Sequence, residues 1–419
     1  MATTAISAAP VAAAPKVISS APGAAVPGSS RRVDWLDGIR AAAAMFVVLH
    51  HMWLAVWPQF PRNVGPWWVG WMLYGHLAVA VFIVVSGFSL ALAPMRRGGN
   101  LSGGTKRFLS RRAWRIVPPY WAALIISTII TALILQPNVG SGAAAKGFVV
   151  HGLLLQDVVG SFAPNGAFWS IAVEWQIYFL FPLILLLGRK TSIGRAVLFT
   201  VALVIVAQEV AGIGSPLNKI HHVSPQFLAL FALGVLAVSL VHGDRAGKLR
   251  RPLTAAGLVA IGSFVVLAVT EGSVWVVGHY FWIDMLFGVG VACLMAAMFG
   301  GGLPRVRGVF ASRVAVTLGL FSYSIYLLHG PLVGLVYQEV LFPMHLSPLA
   351  TFAALLAIGI PFILLVCYAF HLVFEAPFLR ARDKGAFRAM PIIGQLLPRG
   401  RVRPVPAAPT EVVVAREAN

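Results

Sequence analysis

From Asp37 to Trp53 the chain reads DGIRAAAAMFVVLHHMW, an apolar run that carries one arginine and two adjacent histidines. Arg40 and His51 are eleven residues apart. On a helix that spacing brings them within roughly 20° of one face, about 16 Å apart along the axis. Arg40 then stands near one end of a span and His51 lies deep within it, while His50 turns about 100° away. Histidine titrates near neutral pH, so a deep His51 offers a general base with a cation, Arg40, at the mouth of the same groove. The pair also suits a plainer arrangement, in which Arg40 snorkels to headgroups and His51 makes a helix–helix hydrogen bond.

Three further stretches combine chemistry-bearing side chains with apolar surroundings. In RFLSRRAWRIVPPYW (Arg107 to Trp121), Arg111, Arg112 and Arg115 come just before a span that holds Pro118 and Pro119. Arg111 and Arg115 share a helical face and could grip phosphates bidentately, or simply anchor the chain to anionic lipid. In FWSIAVEWQIYFLFPL (Phe168 to Leu183), Glu174 falls about six residues into a span among Trp169, Trp175 and Tyr178, the pattern of an outer interfacial belt. An unpaired glutamate at that depth is costly. Glu174 is therefore expected to meet an imidazole, a sugar hydroxyl or a structural partner. In FSYSIYLLHGPL (Phe321 to Leu332), Tyr323, Tyr326 and His329 recur every three residues on roughly one face, as a polar lining or as packed hydroxyls.

The elements that must carry these groups are membrane helices. Hydrophobic residues make up 59% of the 419, charged residues 11%, and the mean hydropathy is +0.85. Soluble domains carry about 25% charged residues, so the solvent for most of this chain is lipid. Apolar runs of spanning length fall at 36–57, 68–93, 116–136, 168–188, 194–214, 225–242, 252–271, 274–300, 314–338 and 348–375. The expected fold is therefore all-α, a polytopic membrane protein of about ten transmembrane helices, with kinks or interfacial pieces within 68–93 and 274–300. Of the 32 Lys and Arg, 28 fall in the two termini or in alternate connections; only Arg62, Lys146 and Lys219 fall on the other side, and Arg40 within a helix. By the positive-inside rule both termini are cytoplasmic.

Those placements explain the net charge of +19 without nucleic acid, which is not an expected partner. The two cysteines, Cys293 and Cys367, lie in apolar runs with no CxxC, giving no disulfide framework or structural zinc site. They are poor nucleophiles, because nothing near them in sequence would lower their pKa. No Walker sequence or strand-borne G-x-G-x-x-G is present, which disfavours an ATP-driven machine. Residues 1–30 read as an Ala/Pro-rich disordered tail, 31–385 as the membrane domain, and 386–419 as a basic Pro-rich cytoplasmic tail.

In this order the four stretches, with AVFIVVSGFSL (Ala80 to Leu90) and VFEAPF (Val373 to Phe378), resemble the acyltransferase-3 family of polytopic membrane acyltransferases. The Arg40-x10-His51 spacing looks like its first-helix signature, and SRRAWRI like its Arg-Arg-x-x-Arg motif. His50 departs from the pattern, many members having an apolar residue there; the x10 spacing favours His51. The resemblance implies a ten-helix enzyme of the bacterial cytoplasmic membrane with no permanently bound cofactor and no metal. It would move an acyl group, commonly acetyl, from acyl-CoA to a hydroxyl of a carbohydrate or glycosylated acceptor. On that basis Arg111, Arg112, Arg115 and Arg40 would bind the CoA phosphates and His51 would act as base. Glu174 and His329 would orient the acceptor or the imidazole. A transporter or flippase using the same polar helix faces as a permeation path is the competing reading, and the oligomeric state, homo-oligomer included, stays open.

Overall fold

The computed structural model describes residues 33–212, 223–242 and 245–380; the tails expected at 1–30 and 386–419 lie outside them. All regular structure among the described residues is helical. The α-helices are α1 (Asp34–Val56), α2 (His76–Met95), α3 (Gly104–Ile130), α4 (Ser141–Gly152), α5 (Trp169–Lys190), α6 (Ile193–Gly212), α7 (Gln226–Leu240) and α8 (Arg245–Thr270). They continue as α9 (Gly272–Gly278), α10 (Tyr280–Phe299), α11 (Pro304–Phe310), α12 (Arg313–Leu320), α13 (Ser322–Leu335), α14 (Pro348–Ala354), α15 (Ile360–Phe370) and α16 (Ala376–Arg380). Among the described residues, nine helical segments are long and apolar enough to cross a membrane. The tenth expected span is present as α7, an apolar helix of 15 residues. Its rise of about 22 Å falls short of a hydrocarbon layer near 30 Å.

Local chemistry sets the helix ends. Asp34 and Asp37 occupy the first turn of α1, where carboxylates complement the amino-terminal dipole, and Pro58 follows shortly after its end. Ser312 and Ser347 cap α12 and α14 by accepting from the amides of Ala315 and Ala350. The two runs suspected of kinks are both split. Trp67–Tyr74 forms a 3-10 segment before α2, and α9 breaks from α10 at His279.

The arginine motif is already helical: α3 begins at Gly104, well before the apolar run at 116–136, so Arg111, Arg112 and Arg115 ride on the helix that continues to Leu135. Lys, Arg and Ala are good helix formers even where they interrupt an apolar run, so the helix outlasts the hydropathy signal. The run at 314–338 is two helices, α12 and α13, parted at Phe321.

The centre of the bundle is α2, with two-thirds of its most apolar window buried; for α6 and α8 the figures are 22% and 17%. Leu198, Phe199 and Val206 on α6 and Val259 and Val266 on α8 are exposed, as lipid-facing side chains are. Helix α2 packs against α7, and α10 against α8. The α2–α7 crossing depends on two glycines. A Cβ on Gly87 would overlap the Phe231 carbonyl, and one on Gly234 the Val84 carbonyl, so the backbones approach as small residues allow in lipid-embedded helix pairs.

Gly87→Val should therefore lower the melting temperature of the protein in detergent, the overpacking costing about 1–3 kcal/mol. Gly194→Ala, at a helical position with open space around it, should leave the melt unchanged or slightly raised.

Candidate functional site

The residues singled out on α1 and α13 meet. The His51 and His329 rings lie 4.7 Å apart between centroids and 72° between planes, with His329 Nε2 3.3 Å from His51 Nδ1. Backbone carbonyls assign the protons. His51 Nδ1 lies 2.9 Å from the Val47 carbonyl, and His329 Nδ1 lies 2.8 Å from Tyr326 O and 3.2 Å from Ile325 O. A carbonyl only accepts, so each Nδ1 carries hydrogen. His51 Nδ1–H is then shared between Val47 O and His329 Nε2, and the neutral His51 ring keeps a free lone pair on Nε2. His50 points elsewhere: its Nδ1 donates to Met72 O at 2.9 Å, and Gly75 lies against its Cβ.

The basic residues lie within electrostatic reach of one another but take different partners. Arg40 donates to Asp37 Oδ1 at 3.1 Å and to Ser89 Oγ at 2.7 Å, with Arg115, Tyr178 and Glu174 near enough to act on it electrostatically. Arg112 lies over the Phe108 ring, 5.8 Å from its centroid; its Nε is buried with no hydrogen-bond partner. Glu174, Tyr178 and the neighbouring arginines 111 and 115 lie within its electrostatic reach. Arg111, one turn before Arg115 on α3, donates to Ser102 O at 3.2 Å, and Arg115 is exposed.

Glu174 lies within electrostatic reach of Arg40 and Arg112 and so joins this basic cluster. Tyr178 donates to Glu174 Oε1 at 2.5 Å, and the Ser86 hydroxyl meets the Tyr178 oxygen at 3.2 Å. The connection before α5 is partly interior, with Leu154, Asn165 and Phe168 buried. On α13, Tyr326 reaches Ser170 Oγ at 2.5 Å and Ala167 O at 3.1 Å, while Tyr323 donates to Ile116 O at 3.2 Å. The polar face read from the i, i+3, i+6 repeat is therefore real, and its hydroxyls are engaged by α3 and by the start of α5.

Two interior pairings have no signal in sequence spacing. Glu375, 3% exposed, accepts from Ser324 Oγ at 2.5 Å and from His371 Nδ1 at 2.8 Å. His76, the first residue of α2, donates to Asp284 Oδ2 at 2.9 Å, and Gln226, the first of α7, donates to the same oxygen at 3.2 Å. His76 also stacks on Tyr280 and Trp169, which open α10 and α5. Only the apolar-run inventory could point to these acids, as costly groups in need of partners. Glu209 is exposed on α6, and His279 is exposed and bonded to Trp275 O; both lie outside these networks.

The sequence model of the acyltransferase-3 family, described as an acyltransferase domain, matches residues 33–372. The chain is 28% identical over 321 residues to acyltransferase MdmB of Streptomyces mycarofaciens, covering 71% of this chain and 78% of that one. It is 24% identical over 339 residues to the peptidoglycan O-acetyltransferase OatA of Listeria monocytogenes, covering 73% of this chain and 50% of that protein's length. No solved structure matches at a significant level.

Glu375 links α13 to the last span, so removing its carboxylate strands the Ser324 hydroxyl and the His371 ring. Glu375→Ala should lower thermal stability by about 1–3 kcal/mol, read as an earlier melt in detergent. Glu375→Gln should recover part of the loss because one acceptor oxygen remains.

Proposed function

Because the chain belongs to the acyltransferase-3 family and is a multi-pass membrane protein, we propose that it transfers an acetyl group from acyl-CoA to a hydroxyl of a carbohydrate or glycosylated acceptor. The observation that carries this reading is the His51–His329 contact on the helix that also bears Arg40. Both termini and the basic mouth face the cytoplasm, in keeping with the Lys and Arg excess on that side. The membrane is the bacterial cytoplasmic membrane, in keeping with the bacterial relatives. The peptidoglycan named for OatA makes a glycan of the cell surface the leading acceptor class.

In this mechanism the CoA phosphates meet Arg112 and Arg115, with Arg40 beyond them along α1. Guanidinium groups suit phosphate because they are always charged and present several donors in a plane. The acyl thioester then lies toward His51. His51 Nε2 takes the proton of the acceptor hydroxyl as its oxygen attacks the thioester carbonyl carbon. The tetrahedral intermediate collapses, the carbon–sulfur bond breaks, and the proton passes to the departing CoA thiolate. The products are an ester and CoA thiol, with no net proton change. His329 Nε2 accepts from His51 Nδ1–H, which fixes the tautomer that leaves Nε2 free and supports the positive charge while His51 holds the second proton. Glu174, set among the arginines, keeps the cationic cluster together when no anion is bound.

A transporter would use the same polar faces for passage of a solute, and the decisive comparison is chemical. Purified protein in lipid nanodiscs receives labelled acetyl-CoA and peptidoglycan disaccharide fragments, with ester formation and free CoA thiol measured together. His51→Ala should lower the rate on the order of 10²- to 10⁴-fold, as loss of a general base does, while His50→Ala should stay within about tenfold of the parent. Retained transfer in the His51 variant would overturn the assignment. Arg112→Ala with Arg115→Ala should raise the KM for acetyl-CoA by about 10-fold or more, each lost charged hydrogen bond being worth about 1.5–3 kcal/mol. The same pair should abolish the rise in melting temperature that CoA gives the parent.

A further inference from the structure

Proline has no N–H, so a proline within a helix leaves the carbonyl four residues earlier without its helical donor. Pro331 lies inside α13, and the carbonyl it orphans is that of Leu327, with His329 midway between the two. Asn165 supplies the missing donor. Its Nδ2 donates to Leu327 O at 2.8 Å, bridging residues 162 apart in sequence, and its Oδ1 accepts from the Ala167 amide at 3.0 Å. Asn165 is buried, 4% exposed. The residue between His329 and Pro331 is Gly330, where a Cβ would sit 2.8 Å from Asn165 Oδ1. Glycine there lets the amide come in close. The same connection grips the preceding turn, since Tyr326 OH donates to Ala167 O and meets the Ser170 hydroxyl.

These contacts bear on His329 because its ring is tied to its own backbone, Nδ1–H being held by Tyr326 O and Ile325 O. Where the 325–331 turn goes, His329 Nε2 goes, and with it the acceptor of His51 Nδ1–H. We propose that Asn165 is a positioning residue for the histidine pair: by donating to the carbonyl that Pro331 orphans, it sets the height and tilt of His329 against His51. This rests on the reading that the pair performs the transfer.

The test uses the full-length protein in nanodiscs with acetyl-CoA and peptidoglycan disaccharide fragments, following CoA thiol release. Asn165→Asp keeps the size and the acceptor for Ala167 but turns an oxygen toward Leu327 O. It should lower kcat about 10- to 100-fold, as small misplacements of reacting groups do, with KM for acetyl-CoA within about twofold. Pro331→Ala returns an N–H to Leu327 O from within the helix. In that background Asn165→Asp should cost less than about threefold in kcat, the coupling expected of two residues that serve one carbonyl. A purely structural role would lower the yield and the melt alike in both backgrounds and show no such rescue. An Asn165→Asp protein with parental kcat would overturn the proposal, as would a loss that Pro331→Ala leaves undiminished. If Asn165→Asp alone does not fold, the cost measured between Pro331→Ala and the double variant decides by the same threefold mark. His329→Ala separates the two levels. Parental activity there would overturn the histidine-pair reading and this proposal with it, whereas a loss there beside an unaffected Asn165→Asp would overturn this proposal alone.

Discussion

A polar group in hydrocarbon must find its partner inside the protein, because no water is available to supply one. The meeting of His51 and His329 is that constraint at its most specific. Each ring spends its Nδ1–H on a carbonyl of its own helix turn, and the two rings then face each other through one nitrogen apiece. The remaining nitrogen, His51 Nε2, is a basic lone pair left over once the backbone has been satisfied. Both Nδ1–H donors and the His329 Nε2 acceptor are thus engaged within the pair and its own helix turns.

The same rule organises the other interior acids. Glu174 takes the hydroxyl of Tyr178, Glu375 takes Ser324 and His371, and Asp284 takes His76 and Gln226. The Tyr178 and His371 contacts lie within one helical segment, and the Ser324, His76 and Gln226 bonds cross from one helix to another. The polar interactions therefore fix how the helices sit, whereas apolar contacts, with lipid as an equally apolar alternative, discriminate less between packings. The Glu375 bond to α13 and the Asn165 bond to Leu327 hold the His329 helix at two heights. Glycines act in the same sense at α2 and α7, where Gly87 and Gly234 let carbonyls touch the facing helix.

Irregular backbone concentrates near these sites. The last span is built from α14, α15 and α16 joined by wider π-type turns at Leu355–Gly359 and His371–Glu375. The second of these carries the Glu375–His371 pair. Such turns often mark functional positions, because they redirect side chains at the expense of regular hydrogen bonding. Pro331 has a comparable effect in α13, and a side chain from a distant connection makes up the deficit.

The sequence alone determined the helical membrane class, the approximate spans and the shared helical face of Arg40 and His51. Hydropathy and the 3.6-residue period are local quantities that a linear chain displays in full. It also displayed Tyr323, Tyr326 and His329 as roughly one face, and 68–93 and 274–300 as runs that could hold kinks or interfacial pieces. It placed the start of α3 too late, because an apolar run stops at arginines that the helix includes. Tertiary structure alone decided that His51 and not His50 meets His329, that Glu174 joins the arginines of α1 and α3, and that Asn165 serves Leu327. The physical reason is the same in each case. Which buried donor reaches which acceptor depends on distances between segments up to 278 residues apart, and those distances exist only once the helices have packed.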